Sequence, residues 1–477
     1  MRNAVRFLSF LLFFTVLFSA CQQEGDLRYS TEGLQFSADT LSMDTVFTTL
    51  SSTTYWLRVV NTTSDDLMMD RVELTSGGQS GFRINLDGVP GTTFDRIRVP
   101  ARDSLFLFVA LTPPATGVNE PVLIEDAIRF TAGTHSKQVV LKAHAWDAHF
   151  MKGKHITQDT TFTAAQPIVV YDSLVVDAGA CLTMLAGTQL YFHEAAFLHV
   201  NGQLKSYGTP QQPVVLRGDR LDRVLPEFPY SYYPGQWGYV RLAAESFDNE
   251  MQFTHVLGAA YGLVVDSSAQ EPIKLYMQGA ELHNAYFSSL YVVGGQVIAD
   301  NSQFSNSGSY TALLVGGNHR FTHCTFANYQ WLVSRDGPTL TLANQLLDEN
   351  EQPISHPLKA HFVNCIVFGS QSSELLLALS ESDQTLADVW FDHCVLKASE
   401  TDLLSLSENC AFPSEVYFLK KGSSSEAYQI DYRIDSLSPA RDMARRLTEP
   451  QYALDKLGNP RYNDAVPDVG AYEYIVK

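Results

Sequence analysis

Positive charge, cysteine and long apolar segments are all scarce in this sequence of 477 residues. The 33 Lys and Arg residues face 52 Asp and Glu residues, for a net charge of −19, which excludes nucleic acid and anionic lipid as partners held by charge. The 6 cysteines form no C-x-x-C pair, so the usual spacing of zinc ligands is absent. Beyond the first 20 residues, no apolar run is long enough to span a bilayer.

The N-terminus has the features of an export signal. Arg2 and Arg6 precede an apolar run that ends in small residues before Cys21, which predicts a secretory signal over residues 1–20. This pattern resembles a bacterial lipoprotein signal, and the resemblance implies that Cys21 becomes a lipidated first residue. An ordinary secreted protein with a chance cysteine is the alternative. The tether 21–33, which opens with "CQQEGD", resembles those of surface lipoproteins in Bacteroidetes and implies a cell-surface location on the outer membrane.

Short β-rich segments follow the tether, in a chain too long for one core. "TYWLRVVN", "DSLFLFVAL" and "KQVVLKAHA" are rich in β-branched and aromatic residues and are separated by turn residues. Several such strands within residues 34–148 predict a β-sandwich. The stretch that begins "LQFSADTLSMDTVF" resembles the immunoglobulin-like domain of Bacteroidetes surface lipoproteins, which implies a spacer or docking module.

A repeat runs through the second half of the chain. "RFTHCTFANY", "HFVNCIVFGS" and "WFDHCVLKAS" share one pattern of apolar, polar, His or Asn, and Cys residues. A spacing near 22 residues with β patterning predicts a parallel β-helix, in which one coil takes about that length. The longest step implies a surface insertion at about 330–358. The aligned positions are Val256, Ala280, Ser302, Cys324, Cys365 and Cys394.

Alternation along a strand assigns the cysteines to the interior. If Cys324, Cys365 and Cys394 occupy a small-residue position that faces the lumen, they stack at about 4.8 Å as an inward thiol ladder. The neighbouring His323, Asn364 and His393 then face outward, and a His and the adjacent Cys cannot bind one metal from opposite faces. We therefore predict no metal site and no cofactor. Cys181 and Cys410 lie elsewhere in the sequence, and a disulfide between them stays open.

Four segments resemble known β-helix proteins. Residues 175–218 and "PGQWGYVRL" (234–242) are similar to right-handed parallel β-helix proteins of the pectate-lyase-like superfamily. "SPARDMA" (438–444) and residues 455–474 resemble the C-terminus of proteins with a choice-of-anchor domain, which implies a tail that closes the helix. The expected architecture is all-β, an Ig-like sandwich followed by a right-handed parallel β-helix over 149–400 and a capping segment over 401–477.

The sequence shows no clear set of catalytic residues that recurs at the spacing of the β-helix coils. The β-helix resemblance implies a Lys or Arg base in lyases, and grouped Asp residues in hydrolases. Neither set is evident: Lys274, Lys359 and Lys397 share no coil position, and Asp300 and Asp392 are single, each outside any Asp-Asp or Asn-x-Asp pair. A polar row is the remaining candidate for glycan binding on this surface. It consists of His255, Gly279, Asn301, His323, Asn364 and His393.

An aromatic cluster in "FPYSYYPGQWGY" is a candidate binding patch, because aromatic rings stack on sugars and anchor protein interfaces. The alternative is a loop that folds back over the first coils and buries its tryptophan. The candidate residues are Phe228, Tyr230, Tyr232, Tyr233, Trp237 and Tyr239.

Six Ser or Thr residues follow Asp and precede an apolar residue or Thr, a pattern that resembles the O-glycosylation signal of Bacteroidetes. These candidates for modification are Thr40, Thr45, Ser104, Thr160, Ser173 and Ser436.

Two functions remain. We favour a lipid-anchored outer-membrane protein that acts as a non-catalytic structural or interaction subunit, with an outer-membrane protein as its partner, because a solenoid offers a large rigid surface. The alternative is a surface lipoprotein that binds or cleaves a glycan. An enzyme needs convergent carboxylates or a cationic base in a groove, whereas a scaffold needs an exposed apolar or aromatic patch.

Overall fold

The computed structural model describes residues 27–225, 228–267, 273–380, 386–423, 428–462 and 466–475. The predicted signal segment and Cys21 lie outside these residues. Over the described ranges the regular structure is almost entirely β, and the only α-helix is Glu400–Leu403. The chain divides into two compact units, Met1–Asp147 and Ala148–Lys477.

The first unit is a β-sandwich. One sheet contains Leu27–Tyr29, Thr40–Phe47, Asp66–Leu74, Thr93–Val99, Val122–Ala132 and His135–Trp146, and the other contains Leu34–Phe36, Tyr55–Asn61, Phe82–Leu86, Val89–Gly91 and Ser104–Leu111. Buried and less buried residues alternate along the strands, as in Phe82–Leu86, because successive side chains point to opposite faces. Inward residues of both sheets, such as Leu107 and Phe130, form one core.

The second unit is a parallel β-helix in which each coil adds a strand to each of three faces. The first face consists of Thr160–Phe162, Cys181–Leu185, Gln203–Tyr207, Asn249–Gln252, Leu275–Gln278, Gln296–Asp300, Gly317–Thr322, Leu358–Val363, Ala387–Asp392 and Ser407–Glu408. The second face consists of Gln189–Phe192, Val214–Gly218, Thr254–Leu257, Glu281–Ala285, Gln303–Ser307, Thr325–Asn328, Ile366–Gly369 and Val395–Leu396. The third face consists of Phe197–Val200, Val240–Leu242, Tyr261–Val265, Ser288–Val293, Ala312–Val315, Leu340–Ala343 and Leu375–Ala378.

Two long strands open the helix, His149–Ile156 and Ile168–Val176, and the second of them pairs with strands of both the second and the third face. Stacked apolar side chains fill the lumen; the rings of Phe362 and Phe391, for example, lie 4.8 Å apart and nearly parallel. The sequence prediction of an all-β chain, with a β-sandwich followed by a parallel β-helix, is thus confirmed.

A left-handed residue marks the corner between the first and second faces in seven coils. Its φ lies between 42° and 62° at Phe253, Gly279, Asn301, His323, Asn364, His393 and Asn409. Gly, Asn and His enter this region more readily than most residues. The corner therefore explains why His or Asn precedes Cys in the repeat.

Small side chains follow each corner and face the lumen. Cys324, Cys365 and Cys394 are fully buried there, and the Sγ of Cys394 accepts the amide N–H of Cys365 at 3.4 Å. Cys410 extends the row, since its Sγ accepts the amide of Cys394 at 3.3 Å. The sequence analysis left Cys410 outside this row because no recognisable apolar strand follows it.

Replacing Cys324 with Ser is expected to lower the free energy of unfolding by only about 1 kcal/mol. The hydroxyl group finds a carbonyl acceptor at this position, as Ser302 does when its Oγ donates to the Asp300 carbonyl oxygen at 2.9 Å. Urea denaturation measures the loss, and elemental analysis should give the same metal content for both proteins. Loss of a stoichiometric zinc ion in Cys324→Ser would contradict the thiol row.

Two details of the predicted repeat differ from the structure. His255 pairs with Glu281, so the residue aligned with Ala280 in the preceding coil is Thr254 and not Val256. The predicted register was wrong by two residues, but both residues face the lumen. Residues 330–358 are not one surface insertion. Leu340–Ala343 within them is a buried strand of the third face, and its polar, turn-rich neighbours concealed it in the sequence.

The C-terminal residues cover the side of the helix. The hairpin Phe418–Lys421/Ile430–Ile434 and residues of the segments 440–462 and 466–472 share a core with outward residues of the second face, among them Ile366 and Phe368. The tail therefore runs back along the solenoid and does not only close its end. Its position explains why Thr325–Asn328 and Ile366–Gly369 are buried on both sides.

This cover changes the interpretation of the outward polar row. His323 and Asn364 lie outside the lumen but are fully buried. The Nδ2 of Asn364 donates to the Arg445 carbonyl oxygen at 2.8 Å, and that of Asn301 donates to the Gln451 carbonyl oxygen at 2.9 Å. Asn301 and Asn364 therefore fasten the tail, and together with His323 they do not form a solvated glycan-binding surface.

Lys274 is fully buried and gives a prediction about pH. Its Nζ donates to the carbonyl oxygens of Ala243 and Ala244 at 2.7 and 3.1 Å, and burial lowers its pKa to about 8. Because the unfolded chain then binds more protons between pH 8 and about 10.5, stability rises with pH in that window. Relative to Lys274→Met, the wild-type unfolding free energy should increase by up to about 3 kcal/mol from pH 7 to pH 10.5. If the difference in unfolding free energy between the wild type and Lys274→Met did not change with pH, the lowered pKa of Lys274 would be contradicted.

Candidate functional site

A cleft opens on the second face where the cover by the C-terminal tail ends. Two adjoining hollows, each of 430 Å³, share four residues and form what we call the cleft. One wall is the outer side of the second face, and the other is the C-terminal hairpin together with the loop 230–236. The shared residues are Glu281, His283, Ile430 and Asp431.

Outward positions of successive coils place the polar side chains of the cleft in register. His255, Glu281 and Gln303 follow one another in one column of paired residues. The next two positions of that column, Thr325 and Ile366, already lie under the tail. The column thus changes from polar to apolar where the covering begins.

Glu281 lies at the centre of the cleft and is held in its ionised form. Its Oε2 accepts the Nζ of Lys456 at 2.7 Å, and the Nε2 of His255 lies 3.9 Å from the same oxygen. Burial would raise the pKa of Glu281, but Lys456, His255 and His283 outweigh it and hold that pKa below its usual range. Burial lowers the pKa of His255 and of His283, so both rings are neutral near pH 7.

The second carboxylate of the cleft, Asp431, is also paired with a basic side chain. Asp431 accepts hydrogen bonds from Arg433 through Nε at 2.9 Å and Nη2 at 2.6 Å. A single ionised carboxylate beside a neutral histidine can bind hydroxyl groups and cations. Two carboxylates that are each paired with a basic side chain are poor proton donors themselves.

The predicted aromatic patch divides between core and cleft. Trp237 is buried, with its ring 4.3 Å from that of Phe192 and its Nε1 donating to the Leu257 carbonyl oxygen. Phe228 is also buried, so the prediction that these two residues form a binding surface is wrong. Both rings pack in the interior, and the sequence alone does not show which aromatic residues of the cluster are buried.

The tyrosines of the patch keep more exposure. Tyr232 lines the cleft, and its carbonyl oxygen accepts the Nδ2 of Asn284 at 2.7 Å. Tyr230 stacks against the guanidinium group of Arg220, Tyr233 is exposed, and Tyr239 stacks on Phe197 at 4.9 Å. Beside Tyr232, Trp331 and Tyr428 line a further small hollow.

The residues considered for catalysis do not converge. Lys274 is buried, Lys359 pairs with Asp388 at 3.3 Å, and the Nζ of Lys397 donates to the Gly369 carbonyl oxygen. The two aspartates bind the tail instead: Asp300 accepts the hydroxyl of Tyr452, and Asp392 accepts Arg445.

The six candidate glycosylation residues differ in exposure. Thr40 and Ser436 are exposed, whereas Thr45, Ser104, Thr160 and Ser173 are half-buried. Modification of the two exposed side chains is therefore sterically simplest, and O-glycosylation stays a prediction.

Lys456, Asp431 and Arg433 were missed by the sequence analysis. They lie in the tail, and Lys456 is 175 residues away from its partner Glu281. The sequence did contain one signal that the tail covers this face: Ala327, Ile366 and Phe368 point outward but are apolar. A solenoid face that is exposed to solvent would carry polar residues at these positions.

Within the described ranges, no group of three or more His, Cys, Asp or Glu side chains is arranged to hold a metal ion. The same part of the chain contains no helix long and apolar enough to cross a membrane.

Comparison with known proteins gives only local likeness. No family model matches the chain, and no curated protein sequence matches it. A family 123 glycoside hydrolase from Clostridium perfringens shares 9% identity over 27% of this chain and 30% of its own, with a TM-score of 0.19. A Porphyromonas gingivalis protein of unknown function shares 16% identity over 26% of this chain and 59% of its own, with a TM-score of 0.18. The chain spans less than two thirds of either structure.

Proposed function

We propose that this chain is a lipid-anchored outer-membrane protein, tethered at the cell surface through Cys21, and that its β-helix acts as a non-catalytic interaction subunit of an outer-membrane assembly. The charge state of the cleft carries the non-catalytic part of the proposal. Glu281 is paired with Lys456, and Asp431 with Arg433. Most glycoside hydrolases use one carboxylic acid that donates a proton and a second carboxylate as base or nucleophile. Carboxylates that are each paired with a basic side chain favour recognition over cleavage.

The anchor and the partner are tested together by purification of the tagged chain from its native outer membrane in mild detergent, followed by mass spectrometry. We expect stoichiometric recovery of an outer-membrane barrel with other lipoproteins. A Cys21→Ser variant, which removes the acceptor thiol, should leave the membrane fraction of a strain that lacks the recovered partner, while its fold is retained. Recovery of the wild-type chain alone would contradict the interaction role, and membrane association of Cys21→Ser in that strain would contradict the anchor.

A second candidate function is glycan binding, and the aromatic side chains at the edge of the cleft favour it. Trp331 and Tyr428 stack with ring centroids 4.8 Å apart, and Tyr232 lies beside them in the adjoining hollow. Aromatic faces of this kind pack against the apolar faces of sugar rings. Binding of a saccharide by the purified chain, without a co-purifying protein, would favour this role over the interaction subunit.

A further inference from the structure

We propose that the cleft binds a saccharide that carries an anionic group, a carboxylate or a sulfate. This inference rests on the glycan-binding role given above and names the ligand class of that site. It follows from the charge balance of the cleft, from one guanidinium group that has no counter-ion among the described residues, and from the neutral side chains around it.

The charge of the cleft is opposite in sign to that of the chain. The protein has a net charge of −19, yet four basic and only two acidic side chains line the cleft. The two acidic groups, Glu281 and Asp431, are already paired. The basic side chains are Arg217, Lys420, Arg433 and Lys456. A positive cleft in an acidic protein concentrates anions locally.

Arg217 is the cation that most requires a partner. Among the residues that the structure describes, no carboxylate lies within ion-pair distance of it, and its nitrogens reach only the carbonyl oxygens of Gly218 and Arg220, both at 3.4 Å. Burial lowers the pKa of Arg217, opposed by the charge interaction with Tyr191, whose ring centroid lies 5.9 Å from the guanidinium carbon. A ligand carboxylate or sulfate would restore paired hydrogen bonds to the planar guanidinium group.

Lys420 supplies a second positive group on the opposite wall. Its Nζ donates to the side-chain oxygen of Gln429, a neutral acceptor. Arg217 belongs to the second face of the helix, whereas Lys420 belongs to the C-terminal hairpin. An anion in the cleft is therefore approached by cations from both walls.

The remaining lining indicates a sugar rather than a simple ion. Four neutral polar side chains line the same hollow as Arg217: Ser231, Gln236, Asn284 and Gln429. Asn284 already donates to Tyr232 and accepts from Gln330. The buried Oε1 of Gln236, however, has no hydrogen-bond partner among the described residues, and it can accept a hydrogen bond from a sugar hydroxyl group. The volume of 430 Å³ lies in the range of small-ligand sites, and Tyr232 offers an aromatic ring at the edge.

The test is calorimetric titration of the detergent-solubilised mature chain with three probes: digalacturonate, sulfated lactose and lactose. We expect at least one anionic probe to bind at least 10-fold more tightly than lactose, with an affinity that falls as salt is added. Arg217→Gln should weaken that binding by about 10-fold or more, and Lys420→Gln by about threefold. Lys142→Gln, which removes a half-exposed cation from the sandwich, is the matched control and should change nothing.

The outcomes separate the inference from the function on which it rests. Equal affinity for lactose and the anionic probes, unaffected by Arg217→Gln, would overturn the anionic ligand while retaining a glycan-binding cleft. Binding of none of the probes, with the membrane partner still recovered, would overturn the saccharide and retain the interaction role. A preference for digalacturonate or for sulfated lactose distinguishes the carboxylate from the sulfate. Because Lys420 lies at the surface of the hairpin, its variant keeps the test valid if Arg217→Gln does not fold.

Discussion

Replacing Arg461 with methionine is expected to lower the free energy of unfolding of the β-helix unit by about 3–5 kcal/mol. The Arg461 side chain is fully buried between the tail and the coils. Its Nη1 donates to Glu473 Oε1 at 2.6 Å, and its Nη2 donates to Asn301 Oδ1 and to the Gly470 carbonyl oxygen, both at 2.9 Å. Methionine fills much of the volume but leaves the Glu473 carboxyl group and three further acceptors, including the Asp468 carbonyl oxygen, without the donors of Arg461.

Urea denaturation measures this loss, and hydrogen exchange over residues 440–462 and 466–475 shows whether the tail detaches first. The double variant Arg461→Met with Glu473→Gln should be more stable than Arg461→Met alone, increasingly so as the pH rises above 8. Burial raises the pKa of Glu473 to about 8, and the amide removes the unpaired buried charge that the carboxyl group gains as it ionises. Arg129→Met is a matched control, since Arg129 is half-exposed and lies 3.8 Å from Glu73 in the sandwich. A loss below 1 kcal/mol for Arg461→Met would show that the tail is not fastened by this ion pair.

Replacing Trp237 with alanine is expected to cost about 3–5 kcal/mol of stability in the same unit. The Trp237 ring is almost fully buried and stacks on Phe192 with an interplanar angle of 12°. Truncation removes these contacts, leaves a cavity that the rigid coils cannot close, and removes the donor to the Leu257 carbonyl oxygen. The size of the effect follows from burial and not from ligand binding.

Trp331→Ala is the informative comparison, because Trp331 is 42% exposed and packs mainly on Tyr428. Its thermal unfolding midpoint should stay close to that of the wild type, whereas that of Trp237→Ala should fall by several degrees. If saccharide binding is present, Trp331→Ala should weaken it while the fold is kept. Equal midpoints for the two variants would contradict the assignment of Trp237 to the core.

The repeat was readable from the sequence because its causes are local. Alternation of inward and outward residues, a small residue after each corner, and His, Asn or Gly at the left-handed position all act within a few residues. Cys324, Cys365 and Cys394 could therefore be assigned to the lumen from their neighbours. The error at Val256 arose because a shift of two residues preserves the inward direction, and only the pairing of His255 with Glu281 decides the register.

By itself, the sequence determined the all-β class, the coil period and which side of each strand faces the lumen. Only the tertiary structure decided which outer face is covered and where the cleft lies. The contacts that decide these points join residues far apart in the chain, such as Arg461 with Asn301, 160 residues away, and Tyr472 with Gln303, 169 residues away. Local patterning carries no information about such pairs, because they depend on the direction in which the tail packs back along the coils.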